Sequence, residues 1–172
     1  NDFAFDEHPE LLPENASEMH PGYGKAYAHA SQALRFDPDM VFVLHFNGHP
    51  DPAVAGVEIY YCEHGGEQNL RLSELIRDEI VASLRSIGYE PPLARVIEDI
   101  AVARGGRHFP SLGNVYDTGN NRIDQRYAGI PVALTEPFYL TNPAEGALLS
   151  EATHRALADA YVRAADRYFG RE

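Results

Sequence analysis

Val41 to His49 reads VFVLHFNGH, and this stretch decides the fold. Four apolar residues in succession make a strand buried on both faces, because a half-exposed strand would alternate apolar with polar. Burial on both faces predicts a central place in a sheet with helices on either side. The run then ends at His45, followed by Asn47 and Gly48. A polar, ligand-competent side chain therefore stands where the strand leaves the core, the usual place for chemistry in an α/β protein. Ile130 to Pro143, IPVALTEPFYLTNP, repeats the device with Glu136.

Outward from these two strand ends, strands and helices alternate. Met40 to Phe46 and Val57 to Cys62 (VEIYYC) read as strands. Asn69 is placed to cap a helix running to about Ile87, with Leu72, Leu75, Ile76, Ile80 and Leu84 as its apolar stripe. Gly88 and then Pro91-Pro92 end it. Leu93 to Ala103 fits a strand or a short helix. The polar, glycine-rich stretch 104–126 reads as a long surface loop, and loops of that length are often functional. Ile130 to Leu134 is the next strand. Asn142, Pro143 and Glu145 make a capping-box arrangement for the helix that follows. Glu151 to Phe169 is an amphipathic helix.

Upstream, Gly24 to Phe36 reads as a helix, and residues 1–24 are irregular, with DFAFD (2–6) as a possible short strand. The expected fold class is α/β: a single domain over 1–172, with a twisted, mostly parallel or mixed sheet flanked by helices.

The totals exclude several functions. The net charge of −12, from 26 acidic and 14 basic residues, disfavours nucleic acid and anionic membrane surfaces, which are bound through basic patches. No apolar run approaches the roughly 20 residues that span a bilayer, and no signal peptide is visible at the start. Cys62 is the one cysteine, so no intramolecular disulfide forms. There is no HExxH, no CxxC pair, no GxSxG elbow, no P-loop and no GxGxxG. Chemistry has to be assembled from separated strand ends. His45 has the donor chemistry of a metal ligand, and equally that of a histidine hydrogen-bonding a neighbouring loop. Glu136 has the chemistry of a general base, and equally that of a structural carboxylate.

Three segments carry a resemblance that decides between these alternatives. DMVFVLHFNGHPDPAVAGVEIYY (39–61) resembles a strand ending in Ser-x-His-x-Asn, then a loop and a Gly-hydrophobic-Glu strand. QNLRLSELIRDEIVASLRSIGYEPP (68–92) resembles the helix that follows, and GIPVALTEPFYLTNPAEGALL (129–149) a proline-strand-glutamate segment. In order and spacing they resemble the zinc-dependent N-acetylmuramoyl-L-alanine amidases of the amidase-3 type. The most specific of the motifs is E-x-F-x-x-x-N-P, from Glu136 to Pro143.

The resemblance implies hydrolysis of the amide between N-acetylmuramic acid and L-alanine in bacterial peptidoglycan, outside the cytoplasm (periplasm, cell wall or secreted). It implies Zn²⁺ as cofactor, a zinc ligand at His45 and the catalytic carboxylate at Glu136. The pattern departs at Val43, which stands where the family has serine. It departs more at the start: only 44 residues precede His45, and the Gly-His-Gly-Gly turn of the first family ligand does not occur. Either the N-terminal region is compressed or the chain is a fragment; under compression the resemblance implies His8 as the first ligand and Glu18 as the second, with Glu14 or His20 as rivals. Two other functions fit the same pattern. One is a non-catalytic peptidoglycan-binding or regulatory domain with a broken metal site. The other is a related zinc hydrolase acting on small acyl-amino acids or peptide C-termini.

Overall fold

The computed structural model describes residues 29–102, 109–112, 114–117, 120–123 and 129–171. A helix, α1, covers 29–34. Strands β1 (Val41–Leu44) and β2 (Val57–Tyr61) lead into the long helix α2 (Glu67–Ser86). Then come β3 (Ala94–Glu98), β4 (Asn114–Asp117), β5 (Asn120–Ile123) and β6 (Val132–Glu136). The short helix α3 (Pro143–Gly146) and the helix α4 (Glu151–Phe169) finish the order. Four strands form a mixed sheet in the order β1-β6-β2-β3. β6 is parallel to β1 and antiparallel to β2, and β2 is parallel to β3. The expected α/β class with a mixed sheet and flanking helices is what the chain adopts.

Alternation along the strands gives the sheet two apolar faces. Val57 and Ile59 of β2 and Ala133 of β6 pack against Leu72, Ile76, Ile80 and Leu84 of α2 and Leu157, Ala160 and Ala164 of α4. The other face carries Tyr60, Cys62, Val132 and Leu134, covered by Ala30 of α1 and by Leu112. Glu79 of α2 fixes the two long helices to each other by accepting hydrogen bonds from Arg163 and Arg167 of α4, both at 2.7 Å.

Four expectations are corrected. β1 is not central among the described strands: it pairs with β6 alone, at one end of the sheet. Its residues are apolar on both faces because helices reach both faces even there. Phe42 packs on Tyr161 of α4, ring centroids 5.2 Å apart, and Val41 and Val43 join the opposite cluster.

Asn69 does not cap α2. Gly66, at φ 67°, holds the N-cap position, and the buried Asn69 side chain bonds the backbone of Val132 and Cys62 instead. Glu145 does not close a capping box either. Asn142 caps α3 as expected, with its Oδ1 accepting from Ala144 and Glu145, but the Glu145 carboxylate is drawn into the core.

The stretch 104–126 is not structureless, since β4 and β5 pair antiparallel within it. Leu93 to Ala103, left open between strand and helix, contains β3 followed by a single 3₁₀ turn at Asp99–Ala101. The helix expected over 24–36 is described at 29–34; residues 1–28 lie outside the described residues.

Candidate active site

β6 ends at Glu136, and β1 ends one residue before His45. The parallel register Leu44↔Thr135 brings the next pair, His45 and Glu136, side by side. His45 Nδ1 lies 2.9 Å from Glu136 Oε1, a contact between residues 91 apart in sequence. The two sides differ in exposure: the His45 side chain is 63% accessible and that of Glu136 12%. The backbone holds the pair in place. His45 N–H donates to Thr135 O at 3.0 Å, Asn47 N–H to Phe138 O at 3.0 Å, and Leu140 N–H to Asn47 O at 2.9 Å. Phe46 stacks on Phe138, with centroids 4.9 Å apart. The two strands thus stay zipped together for several residues past the sheet, which fixes the direction in which both side chains leave it.

The row continues across the sheet. Glu136 is the cross-strand partner of Glu58, and Glu58 is the partner of Arg95. Paired residues on neighbouring strands project to the same face. His45, Glu136, Glu58 and Arg95 therefore line one edge of the face that carries Val41, Val43, Val132 and Leu134. Glu58 is only 3% exposed and is heavily bonded. It accepts from Asn47 Nδ2 at 2.9 Å, from Tyr60 Oη, from Arg95 Nε at 3.1 Å and from Arg95 Nη2.

These surroundings set two carboxylates apart. Burial raises the Glu136 carboxyl above the usual range; the adjacent His45 opposes this, and the neighbouring Glu58 adds to it, leaving the net shift upward. Burial pushes Glu58 up too, but the hydrogen bonds from Tyr60, Arg95 and Tyr139 and the Arg95 charge outweigh it, and its carboxyl is held below the usual range. The two neighbouring carboxyls are thus shifted in opposite directions, Glu136 upward and Glu58 downward.

Sequence reasoning reached His45 and Glu136, and the structure brings them together. It did not single out Glu58 or Arg95 for the site. The available signal was a glutamate inside the apolar strand VEIYY, where only a paired carboxylate is stable. His8 and Glu18, with the rivals Glu14 and His20, lie outside the described residues.

The donor set meets the needs of a metal ion in part. With Nδ1 of His45 against a carboxylate, Nε2 is the ring atom with no partner among the described residues, the orientation in which a ligating histidine is usually held. His45 thus fits as one ligand. Among the described residues no group of three or more His, Cys, Asp or Glu side chains converges on a metal position, so these residues alone do not complete the three protein ligands of a catalytic zinc. No helix among the described residues is long and apolar enough to cross a membrane.

The family described as Amidase_3, N-acetylmuramoyl-L-alanine amidase, matches residues 23–167. Solved structures resemble the fold. The catalytic domain of CwlV, an N-acetylmuramoyl-L-alanine amidase from Bacillus (Paenibacillus) polymyxa var. colistinus, is 16% identical over 86% of this chain and 66% of its own, with a TM-score of 0.60. An N-acetylmuramoyl-L-alanine amidase from Clostridium difficile 630 is 19% identical over 84% of this chain and 65% of its own, at 0.62. The AmiC2 amidase of Nostoc punctiforme is 23% identical over 83% and 64%, at 0.57. The chain spans about two thirds of the length of these structures, 64 to 66%. No curated protein sequence matches it.

Proposed function

This chain belongs to the N-acetylmuramoyl-L-alanine amidase family Amidase_3. From that premise we propose that it hydrolyses the amide between the lactyl group of N-acetylmuramic acid and the L-alanine of the stem peptide. Its substrate is peptidoglycan, and it works outside the cytoplasm, where that polymer lies, as one catalytic domain over 1–172. The observation that carries this reading is the His45–Glu136 contact at the ends of two paired parallel strands.

In this reading Glu136 is the general base and then the general acid. Its carboxylate takes a proton from the water that attacks the scissile carbonyl, and returns a proton to the amine nitrogen of L-alanine as the C–N bond breaks. The raised affinity of Glu136 for a proton suits both halves, since it must hold a proton between them. Burial of Glu136 keeps that proton from bulk water, and the zipped strand exits hold the carboxylate at one height above the sheet.

A zinc ion would be held by His45 together with His8 and Glu18. It would supply Lewis-acid polarisation of the carbonyl and a lowered pKa for the attacking water. Bound zinc, and stem-peptide release from purified peptidoglycan with and without a chelator, test the reading. Zinc at one per chain with chelator-sensitive release supports it. Release that survives complete metal removal contradicts zinc dependence, and a stable protein that binds peptidoglycan without cleaving it contradicts the enzyme.

A further inference from the structure

Glu58 is buried beside the site, and the reaction as derived leaves it without a role. The residue is 3% exposed, and a carboxylate so placed is retained only where several partners satisfy it. The partners come from the elements around the site. Asn47 belongs to the exit of β1, two residues past His45. The exit of β6 is reached through Asn47, whose backbone binds Phe138 and Leu140 there. Tyr60 and Arg95 come from β2 and β3.

Asn47 is committed at each of its polar groups. Its side-chain Nδ2 donates to Glu58 and its Oδ1 accepts from Gly48 N–H at 2.8 Å. Its own N–H and C=O bind Phe138 and Leu140, on the far strand exit. A change in the Glu58–Asn47 bond is thereby passed to the chain on either side of the reacting pair.

We infer that Glu58 is a positioning residue of the hydrolytic site: its buried carboxylate clamps Asn47, whose backbone joins the two strand exits, and so fixes the exits that bring His45 onto Glu136. Glu58 does not touch the reacting atoms. It acts through Asn47, and the expected loss on breaking the clamp is in turnover rather than in substrate affinity. The inference rests on the amidase reading for its kinetic readout only.

The test uses Glu58→Gln, Asn47→Asp and the double variant on stem-peptide release, with melting temperatures measured alongside. Glu58→Gln replaces an acceptor by a donor facing the donor Nδ2 of Asn47. The double variant restores the bond with donor and acceptor exchanged. Each single variant is expected to lower kcat by about 10- to 100-fold, the usual effect of removing an outer support of a metal site, with KM little changed. The double variant is expected to recover most of that loss. A purely structural carboxylate would lower the melting temperature without this pattern of rescue.

Asn47→Ala leaves the Glu58–Arg95 pair in place and gives the same kcat loss, which keeps the test open should Glu58→Gln not fold. Unchanged kcat in Asn47→Ala, a loss carried by KM alone, or a double variant no better than its parents overturns the inference. The His45 ring carbon–proton NMR signal, assigned with His45→Gln, reads the clamp without catalysis. It should move in Glu58→Gln and return in the double variant; a signal that does not move overturns the clamp. A wild type with no stem-peptide release counts against the amidase reading and not against the clamp.

Discussion

Glu58 and Glu136 are cross-strand partners in the antiparallel β2–β6 pair. Like charges directly opposite on a sheet destabilise it, so each carboxylate needs its own compensation. Glu136 has His45, and Glu58 has Arg95 with the Tyr60 hydroxyl and the Asn47 amide. Arg95 carries the one full positive charge bonded to Glu58 among the described residues, although its own side chain is half exposed. Arg95→Gln is therefore expected to destabilise the fold by about 1–3 kcal/mol, the cost of leaving a buried acceptor short of a charged partner. Urea denaturation of both proteins checks this; equal midpoints would show that Tyr60 and Asn47 suffice.

In the proposed zinc site, His45 is the ligand that lies within the described residues. His45→Ala is expected to lower zinc affinity at least about 10- to 100-fold, because a direct ligand counts for no less than the residues that support one. Titration with a zinc-sensitive dye measures it. The fold should survive, since the His45 side chain is largely exposed and buries little area. Chelation of the wild type should abolish stem-peptide release, and added zinc should restore it.

Glu79 gives the fold a pH dependence of definite sign. Burial alone would raise its carboxyl, but hydrogen bonds and charges from Arg163 and Arg167 outweigh burial and hold it below the ordinary value. A carboxyl more acidic in the folded than in the unfolded chain adds stability above its unfolded pKa of about 4.3. That stability is lost as pH falls through the folded value. Glu79→Gln should cost roughly 1–3 kcal/mol at pH 7. The gap from wild type should close as pH falls below about 4. Urea midpoints across that range measure it, and a gap that widens in acid would refute the assignment.

Glu145 ties three segments together. It is fully buried, and accepts from Gly56 N–H at 2.8 Å, from Tyr139 N–H at 2.7 Å and from the Tyr89 hydroxyl. Glu145→Ala orphans these donors and is expected to cost about 2–4 kcal/mol. Gly56 shows the same joint from the other side. At φ 131°, with an added Cβ only 2.7 Å from Leu93 O, it has no room for a side chain. Gly56→Ala should lower the melting temperature as well. A Glu145→Ala protein as stable as wild type would show that water replaces the carboxylate.

His45 and Glu136, the two residues proposed for the site, could be read from the chain because each ends an apolar run, and a polar side chain at such a point is a local signal. Glu58 and Arg95 could not be placed in the same way. Their meaning lies in the register Glu136↔Glu58↔Arg95, which joins strands far apart in sequence and leaves no local period. Asn69 misled for a related reason. An asparagine before an apolar stripe has the local chemistry of a cap, but bonds to Val132 and Cys62 in the folded chain take its side chain into the core. The β4–β5 pairing escaped because its strands have four residues each and mixed polarity, inside a polar stretch that has the composition of a loop. His8 and Glu18 came from the family resemblance and lie outside the described residues, so metal analysis rather than geometry bears on them.

Glu136 is the residue proposed to move the proton in amide hydrolysis. The direct measurement is stem-peptide release from purified peptidoglycan by wild type and Glu136→Gln, products identified by mass spectrometry, both proteins zinc-loaded. Gln keeps the shape and cannot accept the proton, so release should fall by about 10²- to 10⁴-fold, with melting temperature and bound zinc retained. Products should carry a free L-alanine amino group and an intact lactyl carboxylate. A folded, zinc-loaded Glu136→Gln protein that releases stem peptide at the wild-type rate would contradict the account.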